Sequence, residues 1–347
     1  RIGAWLDHGG IARRNGIGKW AHRQQKGIVP RAHDQGNAIG RGLNVAAGCK
    51  LRQGCAHALL FCKAVDMRHE FRERVILPFA EAYASGQTPN PCVLCNKHIK
   101  FPKMLEFADA HGFDLIATGH YASLRKKANG EYRISAATDA AKDQTYFLYT
   151  LTDDILARLV LPLAGLTKAQ VREIAKAEGF TCAAEKESQD VCFIEKGGLA
   201  SFLRQTLERD VPCGDFVDCD GNVLGRHTGI IDYTVGQRKG LGIAFTEPLY
   251  VKDIDASANR IVLCTGERLF EKEIFVNRCV FPSKTPPTES FRADVRIRYT
   301  KMSAPALLAP YGDGFRIVFD TPQRAPARGQ SAVFFDGDEL IGGGIIK

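Results

Sequence analysis

Between Phe71 and Ala84, apolar Val75, Ile76, Phe79 and Ala82 recur at helical intervals, and Ser85-Gly86 closes the run. Thr88-Pro-Asn-Pro91 cannot continue a helix. Asn96 then stands where an N-cap would, ahead of Ile99, Met104, Leu105 and Ala108, and predicts a helix that closes at Gly112. Asp114–Thr118 reads as a short buried strand with Gly119-His120-Tyr121 at its C-terminal edge, and Tyr132–Ala136 as another strand. Thr167-x-x-Gln170 is a capping box opening a helix through Val171, Ile174 and Ala175 to Gly179. The loop Glu187–Ile194 follows. Past about residue 198 the helix–strand alternation stops: Leu199–Leu207 reads as one more helix, and Gly, Asp and Pro then punctuate short β runs. Alternation over Phe291–Tyr299, Phe315–Phe319 and Ser331–Phe335 predicts a small antiparallel barrel or sandwich.

Residues 1–66 fit neither period. Their first Glu comes only at Glu70, beyond the segment, and five of the nine His lie within 1–69. Gly9-Gly10 and Gly36–Gly42 are glycine-rich without the strand-then-helix context of a phosphate loop, so both read as loops. This segment also distorts the charge. It holds 11 Lys/Arg against three Asp, which is the whole net charge of +8, and the remaining 281 residues carry 36 of each sign. Net charge therefore says little about partners. With 347 residues there is room for two or three domains, no apolar run is long enough to span a membrane, and no export signal is visible. Eleven cysteines without regular spacing fit thiols in a reducing cytoplasm better than a disulfide scaffold.

The chemistry concentrates at Cys92-Val-Leu-Cys95. With Asn96 as N-cap, Cys95 would lie at a helix N-terminus, whose partial positive charge favours thiolate, and becomes a candidate nucleophile. The same spacing also suits a structural zinc half-site or two buried cysteines. His120 follows a strand end, where open α/β sheets place ligands, although a structural histidine is the commoner case. Lys142-Asp143-Gln144 has the look of a solvated turn. Cys192, between Val191 and Phe193, reads on its own as a buried core cysteine. Ile231–Gly242 is a basic, glycine-rich loop suited to a phosphate backbone.

Several segments, in this order, resemble the tRNA-specific 2-thiouridylases: TPNPCVLCNKHIKF (88–101), ATGHYA (117–122), KDQTYFLYTL (142–151), ESQDVCFI (187–194), LGRHTGIIDYTVGQRKGLGI (224–243), IRYT (297–300) and GQSAVFFDGDELIGGGII (329–346). The match runs from about Phe71 to the C-terminus. It implies an α/β chain: an ATP-pyrophosphatase-type (Rossmann-like) domain, incomplete here at its N-terminus, then a small mixed central domain and a C-terminal antiparallel β-barrel. The boundaries expected are 1–66 for the atypical segment, 67–198 for the catalytic α/β thiolation domain, 199–272 for the central tRNA-binding domain and 273–347 for the barrel.

The resemblance implies ATP-dependent 2-thiolation of the wobble uridine in tRNAs for Glu, Gln and Lys, with Mg2+ alongside ATP. Cys192 would hold a persulfide and Cys95 would be the second, nucleophilic cysteine, the reaction leaving a Cys95–Cys192 disulfide to be reduced. Asn90, Pro91 and Cys92 would contact the target base, and Gly119 the nucleotide. His120, Lys142, Asp143, Gln144, Arg298, Tyr299 and Gln330 would contact tRNA. A cysteine desulfurase or relay protein would supply sulfur; no resident metal and no membrane association are implied.

Two departures stand out. Some members carry Asp at the position of Cys92, a candidate acid/base group; a thiol there hydrogen-bonds only weakly. More seriously, the family's Ser-Gly-Gly-x-Asp-Ser-Ser phosphate loop is absent from residues 1–70. Residues 1 to about 64 read as an out-of-frame translation or a disordered stretch, with the frame resuming near Val65–Phe71, and weak or no ATP binding is expected. The competing expectations are a tRNA-binding remnant without catalysis, and an enzyme using a zinc-bound Cys92–Cys95 pair on another RNA position.

Overall fold

The computed structural model describes residues 2–4, 65–180, 183, 191–194, 198–299 and 302–347. The bulk of the atypical segment, residues 5–64, lies outside them, as do Glu187–Asp190 and Thr300 of the motifs above.

The first helix runs unbroken as α-helix Arg68–Phe71, a π turn Arg72–Ile76, and α-helix Leu77–Ala84, starting three residues before the expected Phe71. Its buried positions Phe71, Val75, Phe79 and Tyr83 are spaced by four. An ideal helix of 3.6 residues per turn would let such a stripe drift around its surface, and the wider π turn corrects the drift. The straightened stripe serves two cores. Phe71 and Val75 belong to the core of the α/β region, whereas Phe79, Ala80 and Tyr83 belong to that of the central domain.

The second helix corrects the expected cap. It begins at Pro91, not after Asn96, and continues as Pro91–Cys95, a π turn Asn96–Lys100, and Phe101–Ala110. Asn90 is the N-cap, its Oδ1 accepting from the backbone N–H of Cys92 at 3.0 Å and of Val93 at 3.4 Å. Pro91 occupies the first helical position, where its missing N–H costs nothing and its φ is already helical. Asn96 is buried instead, donating from Nδ2 to the Phe147 carbonyl at 2.9 Å.

Strand Leu115–Ala117 lies between strands Ile2–Ala4 and Leu159–Val160, all parallel. Residues 2–4 thus enter the sheet, although the sequence pattern marked no strand there; three residues are too few to display a period. The capping box at Thr167–Gln170 forms as expected, opening helix Lys168–Ala177.

The central domain has the sheet order Val223–His227, Gly214–Val217, Arg260–Thr265, Leu249–Asp255, preceded by helix Gly198–Leu207. Only its middle pair is parallel. C-terminally, strands Phe270–Val280, Phe291–Arg296, Ala304–Tyr311, Gly314–Arg324, Ser331–Asp336 and Glu339–Ile346 form an antiparallel sheet that closes when the first pairs with the last. The expected barrel is there, in six strands. Closure leaves no unpaired edge. Ser135, in strand Tyr132–Ser135, pairs with Glu339 at the rim. Val333, Phe335 and Leu340 of the barrel share a core with Tyr146, Leu148 and Tyr149, so barrel and α/β region are packed into one body. Among the described residues no helix is long and apolar enough to cross a membrane.

Candidate active site

The loop leading into the Cys92–Cys95 helix is gripped by the central domain and the barrel. Gly86 (φ +72°) lies against the Ile254 carbonyl of the central domain, and a Cβ there would come within 2.5 Å of that oxygen. The Thr88 N–H donates to the Arg328 carbonyl of the barrel at 2.7 Å. Arg328 in turn donates to Asp253 Oδ1 at 2.6 Å and the Ile254 carbonyl at 3.0 Å. Gly329 (φ +85°) lies under Gln87, with room for no Cβ (2.8 Å to the Gln87 Cβ). The loop that leads to Asn90, the cap of the helix, is therefore held by contacts from both the central domain and the barrel.

On that helix Cys92 is exposed and Cys95 is 8 % exposed, within the α/β core. Because the helix starts at Pro91, the field of its N-terminus falls chiefly on Cys92, in the first turn; Cys95 lies past it. The sequence argument for a thiolate at Cys95 by capping is thus overturned. Among the described residues, no group of three or more His, Cys, Asp or Glu side chains gathers as metal ligands would.

Cys192 is exposed, not the core cysteine its neighbours suggested. Phe193 takes the packing role instead, half-buried against the core. Its ring meets Phe71 at 5.6 Å, Phe79 at 5.5 Å and Phe202 at 5.2 Å between centroids. These contacts fasten the turn Val191–Ile194, closed by an Ile194 N–H to Val191 carbonyl bond of 3.0 Å, onto the first helix. Phe193 packs on the same core cluster that contains Cys95. The turn bearing Cys192 and the helix bearing Cys95 therefore share one support.

Most of the other predicted residues are held by contacts with neighbouring segments. His120, 5 % exposed, stacks on Phe101 of the cysteine helix at 5.7 Å, with its Nδ1 2.8 Å from Thr118 Oγ1. Gln144 Oε1 accepts from the Tyr121 N–H at 2.9 Å. Asp143 is buried, bonded to Thr145 Oγ1 at 2.7 Å and Arg296 Nη1 at 2.8 Å, so the expected solvated turn is an anchored one. Lys142 beside it is half-buried. Tyr299, 44 % exposed, packs at a tilt against Phe147, whose carbonyl holds Asn96. Gln330 Oε1 lies 3.3 Å from the Tyr146 hydroxyl. Arg298 donates from Nη2 to the Val235 carbonyl at 3.1 Å and the Ala325 carbonyl at 2.7 Å. Burial, with Arg324 nearby, pulls its guanidinium below the usual arginine range.

Between α/β region and barrel, the Tyr146 hydroxyl donates to the Ser331 carbonyl at 2.8 Å, and Ser331 Oγ donates to the Tyr149 hydroxyl at 3.2 Å. Burial pushes the Tyr149 phenol up to about 12 and Tyr146 further still, so both remain neutral at physiological pH. Arg296 was missed at the level of sequence. It lies on the outward face of its barrel strand, alternating with the core residues Ala293 and Val295, where a charged residue carries no signal.

Three family models match the chain in succession: a tRNA methyl transferase HUP domain over residues 45–196, a tRNA methyl transferase PRC-barrel domain over 200–265, and an aminomethyltransferase beta-barrel domain over 271–346. The chain is 44 % identical over 285 residues to a protein of Acetivibrio thermocellus named tRNA-specific 2-thiouridylase MnmA, covering 82 % of this chain and 79 % of that one. Proteins of the same name from Clostridium acetobutylicum (43 % over 284 residues, 82 % and 80 %) and Magnetococcus marinus (42 % over 283 residues, 81 % and 79 %) match in the same way. With three domain models in register and relatives at this identity, the chain belongs to the family of the tRNA-specific 2-thiouridylases.

Proposed function

We propose that this protein is a tRNA-uridine 2-sulfurtransferase that replaces the C2 oxygen of the wobble uridine with sulfur in tRNAs for Glu, Gln and Lys. The observation that carries the reading is the shared support of the two cysteines. Phe193 seats the exposed Cys192 turn on the core that includes Cys95, 97 positions away in sequence.

Cys192, exposed, accepts a sulfur atom from a donor protein and holds it as a persulfide, which is ionised at neutral pH and a stronger nucleophile than a plain thiol. Sulfur then leaves by one of two routes. The terminal sulfur attacks C2, and the Cys95 thiolate then attacks Cys192 Sγ and releases the C2-bound sulfur, or Cys95 first attacks Cys192 Sγ and releases hydrosulfide that attacks C2. Either way an S–S bond forms between Cys95 and Cys192 as the persulfide bond breaks. Two electrons from a thiol reductant then reset the pair. Asn90, Pro91 and Cys92 meet the base, which must leave its stack to reach them. His120, Lys142, Asp143, Gln144, Arg298, Tyr299 and Gln330 form the surrounding tRNA contact, Asp143 by positioning its neighbours.

The fit of ATP is uneven. Gly119, buried at the C-terminal end of Leu115–Ala117, offers main-chain groups where parallel sheets bind nucleotides. For the phosphates, the Ser-Gly-Gly-x-Asp-Ser-Ser loop of the family does not occur in the given sequence. ATP with Mg2+ would make the departing oxygen part of AMP, a competent leaving group.

The expected consequence is an ATP requirement saturating only above about 1 mM, the top of the usual substrate range. Isothermal titration with ATP, and nucleoside mass spectrometry of tRNA incubated with the protein, ATP and sulfide, check it. Micromolar ATP affinity would contradict the missing cradle. Bound tRNA without 2-thiouridine at any ATP concentration would favour the second reading, a tRNA-binding protein that has lost catalysis.

A further inference from the structure

Sulfur transfer leaves the Cys92 thiol idle, although it stands three positions before Cys95 on one continuous helix. Residues at that spacing have Cβ atoms about 5–6 Å apart, and a disulfide needs about 3.5–4.5 Å. Joining the two sulfurs therefore asks for a movement of only about 1–2 Å. The two ends of the gap differ in how firmly they are fixed. Behind Cys95, Asn96 is 2 % exposed and its side chain is tied to the Phe147 carbonyl at 2.9 Å. Cys92 lies in the first turn, where N–H groups have no carbonyl partner within the helix. Its N–H is bonded to the Asn90 side chain at 3.0 Å instead. Tightening that turn brings Cys92 to Cys95 while the rest of the helix stays in place.

Exposure decides what such a movement achieves. Cys95 is buried, whereas Cys92 and Cys192 are both exposed. After each turnover the Cys95–Cys192 disulfide has one sulfur within the core and one at the surface. A dissolved thiol reaches the outer sulfur first, and attack there leaves Cys192 capped as a mixed disulfide, unable to accept sulfur. Attack on the inner sulfur frees Cys192 directly. A thiol on the same helix is held beside that inner sulfur at an effective concentration that a dissolved reductant does not match. The relatives that carry Asp at this position have no thiol to use in this way.

We propose that Cys92 is the resolving cysteine of the catalytic cycle, attacking Cys95 Sγ in the Cys95–Cys192 disulfide and returning Cys192 as a thiol ready for the next sulfur. The Cys92–Cys95 bond forms as the Cys95–Cys192 bond breaks. Cys192 leaves as thiolate and takes up the proton that Cys92 gave up, so the exchange is redox-neutral. The new disulfide has its Cys92 sulfur at the surface. There an external thiol reductant supplies two electrons and two protons and restores both cysteines. The inference rests on the reading that the protein thiolates tRNA, and the test separates the two.

Full-length protein loaded with persulfide is mixed with tRNA and saturating ATP without reductant, quenched in acid after one turnover, alkylated with N-ethylmaleimide and mapped unreduced by mass spectrometry. The expected result is a predominant Cys92–Cys95 bridge, matching the 2-thiouridine made, with Cys192 alkylated. Product accompanied by a Cys95–Cys192 bridge and alkylated Cys92, or by a Cys92–Cys192 bridge, would overturn the resolving role and leave the function standing. Absence of product would overturn the function, and the cycle with it. Cys92→Ser, followed over many turnovers with glutathione, gives a second reading. Whatever its first turnover costs, its steady rate relative to that first turnover should fall at least about tenfold below the parent's ratio. Dithiothreitol should restore the ratio. An unchanged ratio with glutathione would overturn the proposal.

Discussion

Cys192→Ser will abolish 2-thiouridine formation, by at least about a thousandfold, because a hydroxyl cannot carry transferable sulfur. Loading with [35S]cysteine and a cysteine desulfurase reads the same loss without ATP, and the variant should stay unlabelled. Cys95→Ser is expected to behave differently. It should take up label on Cys192, since that thiol is exposed, and then retain it, because no thiolate attacks Cys192 Sγ to release the outer sulfur. Product would be lost in both variants while tRNA binding persists. The split between unlabelled and permanently labelled protein distinguishes the two roles, and loss of label in both would show that Cys95 serves folding or acceptance instead. Cys92→Ser should load and release sulfur normally.

Arg296→Ala will cost about 3–5 kcal/mol, the usual penalty for stripping one partner from a buried ion pair. The side chains of Arg296 and Asp143 are 17 % and 8 % exposed, with Nη1 to Oδ2 at 2.8 Å. Arg296 also lies over the Phe335 ring, 4.3 Å from its centroid. Removing it leaves a buried carboxylate and an uncovered ring where barrel and α/β region meet. Replacing both charges, Arg296→Met with Asp143→Asn, should recover most of the loss, because the large penalty belongs to the orphaned charge and not to the pair. Urea unfolding of the two variants and the parent measures this. A single variant within about 1 kcal/mol of the parent would show that the pair is solvated in solution.

Much of the architecture was legible because the signals were local. The capping box at Thr167, the glycine stops after both helices and the alternation in the barrel strands each describe a few neighbouring residues, and each forms where expected. The errors share a cause. Asn96 looked like a cap because Pro-Asn-Pro was read only as a breaker. Pro91 in fact starts the helix, and Asn96 is drawn inward by a carbonyl 51 positions away. Cys192 looked buried because its neighbours are apolar, yet Phe193 alone fills the aromatic nest and leaves the thiol outside. Arg296 was invisible because its partner lies 153 positions earlier. Partners that far apart are set by tertiary packing, which no local pattern encodes. The roles expected of the remaining site residues came from the resemblance, not from spacing.

The most direct test joins the sulfurs themselves. Dibromobimane, a short reagent that bridges two nearby thiols, would be added to the reduced full-length protein, and peptide mapping would identify the pair. The predicted result is a bridge between Cys95 and Cys192, strengthened when tRNA is bound. A bridge confined to Cys92 and Cys95, with Cys192 only singly alkylated in the presence and absence of tRNA, would contradict it.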